Sequence, residues 1–373
     1  MRLLGLEGDD SSGKDNSDPR VQQLFLKINV GDAGSVRRMV EANRHLLTAV
    51  HKGMTPLGYA GHCGRIHVMD TLLDLGADIN GKDGKRRTAL HRAIEGSEER
   101  AALHLIDKGA DVKASSRKNQ TPLHFAAIRG MTTVIARLIA LGADVNATDF
   151  VGDTPIFEAI NQGKDQAVQI LLQEPTLNKH ALNGRGFNIL HQACLRGRSI
   201  AVEMILDADD HPYIDDRMNG EYTALHIAAN NDHVECVGLL ILLGGAIVDH
   251  GDGRRQLTPL HLACKRGQFR AAKCLIEMGA NVNATDIYGS TPLHLAMGKV
   301  PEDKRVSESV DKEMTEDECI RMARLLIDSG PLWMFWTTAA RLPWTTQKPQ
   351  SEQLSRSTLM KWGMLFCFLV IPT

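Results

Sequence analysis

Three features of this sequence have residue types and spacings that could do chemistry: a glycine-bounded run ending in lysine, a series of evenly spaced histidines, and seven cysteines. The run Gly8-Asp9-Asp10-Ser11-Ser12-Gly13-Lys14-Asp15 nearly matches a phosphate-binding loop. That loop needs Ser or Thr after its lysine to hold Mg²⁺, and it follows a strand. Asp15 stands in that place, no strand pattern precedes it, and two aspartates would repel a phosphate, so nucleotide binding is not expected. His91, His124, His191, His226, His261 and His294 suggest metal because imidazole is a common ligand. Zinc sites draw on ligands with tight local spacing. Histidines 33 to 35 residues apart, with one gap of 67, read instead as structural residues, each hydrogen-bonded to backbone near the start of its own helix.

Cys63, Cys194, Cys236, Cys264, Cys274, Cys319 and Cys367 form no Cys-x-x-Cys pair, and no Gly-x-Ser-x-Gly or paired-carboxylate setting occurs. Most of the cysteines fall in helical patterns as small apolar fillers. No catalytic constellation is present, so neither an enzyme nor a cofactor or metal is expected. The odd cysteine number, and a start Met1 to Glu7 too short for a signal core, point to a reducing, cytoplasmic setting. The sequons at Asn146 and Asn283 would matter only in a secreted protein and arise from a repeated phrase.

That phrase is the organising element. Thr55-Pro56-Leu57, Thr88-Ala89-Leu90-His91, Thr121-Pro122-Leu123-His124 and Thr154-Pro155-Ile156 are followed by Asn188-Ile189-Leu190-His191, Thr223-Ala224-Leu225-His226, Thr258-Pro259-Leu260-His261 and Thr291-Pro292-Leu293-His294. The spacings are 33, 33, 33, 34, 35, 35 and 33. Thr or Asn caps a helix and Pro fits its first position, so a helix begins at each phrase. An alanine follows each Leu or Ile by three residues, from Ala60 and Ala93 through Ala126, Ala159, Ala193, Ala228 and Ala263 to Ala296, which allows close helix approach. Gly64, Gly130, Gly163, Gly197 and Gly267 end the first helix. A second apolar helix follows, and Gly76, Gly109, Gly142, Gly245 and Gly279 turn the chain outward. The period resembles that of ankyrin repeats, and the resemblance implies an all-α solenoid of helix-turn-helix units with projecting β-hairpins, about nine repeats long.

One repeat cannot bury its own apolar face, so stacking must supply the core. A chain with 43% hydrophobic residues, 24% charged residues and a net charge of −2 has enough apolar surface for this and no global pull toward nucleic acid or membrane. The expected organisation is a disordered tail over 1–20 and an array over 21–330. The array comprises a degenerate cap at 21–53, repeats starting near 55, 88, 121, 154, 188, 223, 258 and 291, and an acidic, flexible insert at 299–317. In repeats five and six the loops at 174–176 and 207–212 lack Gly-Ala-Asp, and a ridge or tolerated loop drift is expected there. All four tryptophans fall in an atypical tail over 331–373, whose apolar end, Met364 to Ile371, is too short to span a membrane.

In such an array the hairpin tips and first helices line a concave face that meets protein partners. Tip residues not used by the scaffold include Lys85, Arg86, Arg87, Arg117, Lys118, Arg185, Arg217, Arg254 and Arg255. The first helices add Arg92, Arg129, Arg196, Lys265 and Arg266. This basic groove suits an acidic or phosphorylated protein segment. An ordinary solvated surface is the alternative, because the tip aspartates Asp83, Asp149, Asp153, Asp216, Asp252 and Asp286 offset the charge. Nucleic acid is not expected, since interleaved aromatics and a reading module are both lacking.

Beyond the general phrase, Arg117-Lys118-Asn119-Gln120-Thr121-Pro122-Leu123-His124, Gly152-Asp153-Thr154-Pro155, Gly186 through Gly197 and Gly220 through Glu235 are similar to the ankyrin region of mind bomb. Mind bomb proteins are RING-type E3 ubiquitin ligases that act on Notch ligands. The resemblance, over roughly 20–300, implies a scaffold working among ubiquitin-ligase components. The RING zinc clusters are not in this sequence, so no catalytic residue carries over. A stand-alone ankyrin adaptor with an unrelated, acidic partner is the other expectation, and a purely structural spacer the third.

Overall fold

The structure, a computed structural model, describes residues 18–208, 213–297 and 316–329. The phosphate-loop lookalike, most of the 299–317 insert, the 209–212 loop and the tryptophan tail lie outside the described residues. The chain divides into two units, Met1–Asp210 and His211–Thr373.

Among its described residues the first unit contains six helix pairs: α1 (Pro19–Val30) with α2 (Ala33–Ala42), α3 (Pro56–His62) with α4 (Ile66–Asp74), α5 (Ala89–Glu95) with α6 (Glu99–Asp107), α7 (Pro122–Arg129) with α8 (Thr132–Ala140), α9 (Pro155–Gln162) with α10 (Asp165–Leu172), and α11 (Ile189–Arg196) with α12 (Ser199–Asp207). First helices pack on first helices and second on second, giving two layers. In the second unit α13 (Ala224–Asn230), α15 (Pro259–Arg266) and α17 (Pro292–Ala296) form one layer. There α14 (Val234–Leu242), α16 (Phe269–Glu277) and α18 (Glu316–Ser329) form the other.

From α3 to α17 these helices have 5 to 9 residues, too short to persist alone, so packing must hold them. The alanine column from Ala60 to Ala296 is buried throughout, and Leu72, Leu105, Leu138, Leu171, Ile205, Leu240 and Leu275 on the second helices are fully buried. Each such leucine or isoleucine is worth about 1.5–3 kcal/mol of burial.

The repeated histidines join one repeat to the next. At His91, His124, His226 and His261 the Nδ1 atom accepts from the backbone N–H of the capping threonine at 3.1–3.2 Å. The opposite nitrogen, Nε2, lies 2.8–3.1 Å from a carbonyl oxygen of the following repeat, that of Gln120, Asp153, Leu257 or Ser290. A carbonyl only accepts, so Nε2 carries the proton and the ring is the neutral tautomer. Burial pushes His91 and His226 down to about 4. Repeat five breaks the pattern. Phe157 occupies the histidine position, fully buried, and the Thr154 hydroxyl has no hydrogen-bond partner.

Gly130, Gly163, Gly197 and Gly267 end the first helices in the left-handed conformation. Where the period lacks glycine, Ser97 and Asp232 take the same backbone at φ 60° and 58°.

Candidate protein-binding face

Between each second helix and the next first helix the chain makes a short finger. The expectation of β-hairpins is corrected here: strand-type pairing among the described residues is limited to the isolated bridges His51–Met54 and Met218–Tyr222. The finger turns too soon for a ladder, and a side chain at its base takes the N–H groups a ladder would pair. The Asp83 carboxylate accepts from the N–H of Lys85 and Arg87 at 2.8 and 2.9 Å. Asp149 does the same for Val151 and Asp153, Asn183 for Arg185 and Phe187, and Asp286 for Tyr288 and Ser290. Asp252 accepts from Arg254, Arg255 and Leu257.

These contacts correct the charge balance read from sequence. Asp83, Asp149, Asp252 and Asp286 are buried and committed to turns, so they do not cover the tips with negative charge. Asp153 is half-buried and Asp216 exposed.

Adjacent fingers are stitched tip to tip. In the first unit Arg117 donates its N–H to Lys85 O at 2.8 Å, Phe150 to Lys118 O at 3.0 Å and Gly184 to Val151 O at 2.9 Å. In the second, Gly253 donates to Glu221 O and Ile287 to Arg255 O, both at 3.0 Å. A Cβ on Gly184 would lie 2.5 Å from Val151 O, so glycine permits this approach.

The basic candidates separate by environment. Lys85, Arg86, Arg117, Lys118, Arg129, Arg185 and Arg196 are exposed in the first unit, and Arg217, Arg254 and Lys265 in the second. Arg266 is half-buried. Arg86 sits at φ 58°, a left-handed turn position that glycine fills at Gly152, Gly186 and Gly289. Arg87 is half-buried, pairs with Glu95 and lies 5.1 Å from the Phe125 ring centroid. Arg255 is also half-buried, 2.9 Å from Asp286 and 4.8 Å from the Tyr288 ring centroid. Arg217 donates to Gly251 O at 2.7 Å, and Arg254 pairs with Glu221.

Arg92 departs from its expected place on an open surface. It is 5% exposed and bonded to Asp83, to Glu95 at 2.8 Å and to Gly53 O at 3.1 Å. Its guanidinium neutralises the buried turn aspartate of its own finger. Burial would raise Glu95, but Arg87 and Arg92 outweigh it and hold the carboxyl below the usual range.

A polar network at α9 and α11 was not read from sequence. Gln120 donates to Glu158 at 3.4 Å, Gln192 donates to Asn161, and Arg196 Nε donates to the same Asn161 oxygen at 3.0 Å. Burial first, then repulsion by Asp153 and Asp149, lifts Glu158 to about 7. The available signal was variation: four residues after the cap, the repeats carry Tyr59, Arg92, Phe125, Glu158 and Gln192 in turn.

A family model described as ankyrin repeats in three copies matches residues 24–116, 99–181, 176–252 and 225–302. The chain belongs to the ankyrin-repeat family. It is 34% identical over 116 residues to the nuclear factor NF-kappa-B p105 subunit of Mus musculus, a stretch covering 31% of this chain and 12% of that protein. It is 36% identical over 106 residues to ankyrin repeat and SOCS box protein 11 of Danio rerio, covering 28% of this chain and 34% of that protein. The matches therefore span 12% and 34% of these relatives' lengths. The crystal structure of the human ASB11 ankyrin repeat domain superposes with a TM-score of 0.52 at 27% identity, covering 66% of this chain and 99% of that one.

Among the described residues no helix is long and apolar enough to cross a membrane. No group of three or more His, Cys, Asp or Glu residues there could hold a metal.

Proposed function

We propose that this ankyrin-repeat chain is a protein-binding scaffold whose finger tips and first-helix ends meet an acidic segment of its partner, in the cytoplasm. The observation that carries this reading is the division of labour in the fingers. The turn aspartates Asp83, Asp149, Asp252 and Asp286 are buried, while Arg86, Arg117, Lys118 and Arg185 stand exposed on stitched, closely spaced tips. Exposed cations on a pre-organised backbone favour acidic partners through steering and charge-assisted hydrogen bonds. The six free cysteines among the described residues suit a reducing compartment.

Within that role we propose that the chain is the ankyrin part of a mind bomb-like ubiquitin ligase acting in Notch-ligand ubiquitination, with no RING chemistry of its own, a reading supported by the stretches at 117–124, 152–155, 186–197 and 220–235. Proximity labelling with the full chain, beside a variant carrying Arg86, Arg117, Arg254 and Arg255 as Glu, tests both levels. Loss of a discrete partner set in the variant supports the scaffold. Ligase components within that set support the narrower assignment. Identical sets from both proteins refute the basic face.

A further inference from the structure

The finger tips carry exposed apolar residues that the fold does not use. Phe150 is 65% exposed and Val151 37%, on the finger next to Arg117 and Lys118. In the second unit Ile287 is 56% exposed and Tyr288 58%, on the finger next to Arg254 and Arg255. These pairs occupy corresponding places, one and two residues after the turn aspartates Asp149 and Asp286. The same places after Asp83 hold Gly84 and Lys85, and after Asp252 they hold Gly253 and Arg254. An exposed pair is therefore not required to make a finger.

The two units also repeat the contact between neighbours. Phe150 N–H donates to Lys118 O and Ile287 N–H to Arg255 O, each at 3.0 Å. The Lys118 ammonium lies 5.5 Å from the Phe150 ring centroid and the Arg255 guanidinium 4.8 Å from that of Tyr288. A cation over an aromatic face orders both side chains while leaving the ring edge open. Of the acids beside Phe150, Asp149 is buried, and the half-buried Asp153 accepts from Asn183 Nδ2 at 2.7 Å.

We infer that each unit bears a tip site, Lys118–Phe150–Val151 in the first and Arg255–Ile287–Tyr288 in the second, that takes a protein segment with an acidic residue beside an apolar anchor. The inference rests on the protein-binding reading above and names the chemistry of the partner. Charge complementarity selects the acidic group, and the exposed ring supplies the low-entropy contact area typical of binding hot spots. A purely acidic segment would leave Phe150 and Tyr288 facing water, and a purely apolar one would desolvate the exposed Lys118 ammonium without compensation, although Arg255 keeps its ion pair with Asp286.

Random 16-residue peptides displayed on phage and panned against the full chain give the test. Enriched sequences are then synthesised with a fluorescein label and titrated by anisotropy. The expected consensus places Asp or Glu next to Leu, Phe or Trp. Affinity should fall at least tenfold with Phe150→Ser or Lys118→Glu for peptides of the first site, and with Tyr288→Ser for those of the second. Ile200→Ser, at an exposed apolar residue of α12, should leave affinity unchanged. Enrichment of basic peptides, or of acidic ones without an apolar residue, overturns the chemistry but leaves a binding face. Enriched peptides indifferent to all three tip variants overturn the location. No enrichment at all overturns both this inference and the basic-face reading.

Discussion

Replacing Glu158 by glutamine should stabilise the protein near neutral pH and lose most of that effect in mild acid. The carboxyl is largely buried on α9, and burial with the neighbouring Asp153 and Asp149 lifts it from 4.5 to about 7. A carboxyl whose folded value is raised favours the folded state below its unfolded value of 4.5, and that contribution is lost as pH rises through 7. At pH 7 the half-protonated folded group faces a fully ionised unfolded one, a cost of about 3 kcal/mol, against about 1 kcal/mol at pH 5. Gln carries no charge and keeps an oxygen to accept from Gln120. Urea unfolding at both pH values should show a gain for Glu158→Gln that is about 2 kcal/mol larger at pH 7, or about 1 M in midpoint for an ordinary slope. An equal loss at both pH values would mean that the ionised carboxylate stabilises the fold, and the desolvation argument would be wrong.

The histidines set the opposite gradient. His91 and His226 are pushed from 6.5 down to about 4, so the unfolded chain takes up protons first and stability is lost as pH falls from 6.5 toward 4. Each should cost about 2 kcal/mol by pH 5, seen most cleanly in urea titrations of the Glu158→Gln protein. Thr223→Ala should cost about 1 kcal/mol by removing a cap bonded to His226, whereas Thr154→Ala, whose hydroxyl has no partner, should be nearly neutral by thermal unfolding. Arg92→Leu strands the buried Asp83 carboxylate and should destabilise by about 3–5 kcal/mol, measured by the same unfolding assay. Arg86→Gly should add about 1 kcal/mol of stability by relieving a left-handed backbone while weakening capture of an acidic partner.

The architecture was legible because the physics that builds it repeats. A capping residue, an alanine three after each leucine and a terminating glycine recur in phase, and their burial and backbone angles follow directly. The fingers were less legible, because an aspartate at a tip reads as surface charge until its carboxylate is seen to accept two backbone N–H groups. Arg92 shares a helix position with residues of every chemistry, and only contact with Asp83 and Gly53 shows that it is interior. Phe157 marked in plain sequence where an inter-repeat histidine is missing, yet the orphaned Thr154 hydroxyl depends on side-chain geometry. Positive φ at Arg86, Ser97 and Asp232 is not legible in the sequence because the period there substitutes ordinary residues for glycine or asparagine.

Amide hydrogen exchange on the full chain, with and without a bound acidic-apolar peptide, tests the scaffold most directly. Slowed exchange is expected only in the fingers at 83–87, 116–120, 149–153 and 183–187, or at 252–257 and 286–290, and at the ends of the adjoining first helices. Protection confined to second helices such as α8, α10 or α16, with the fingers unchanged, would contradict it.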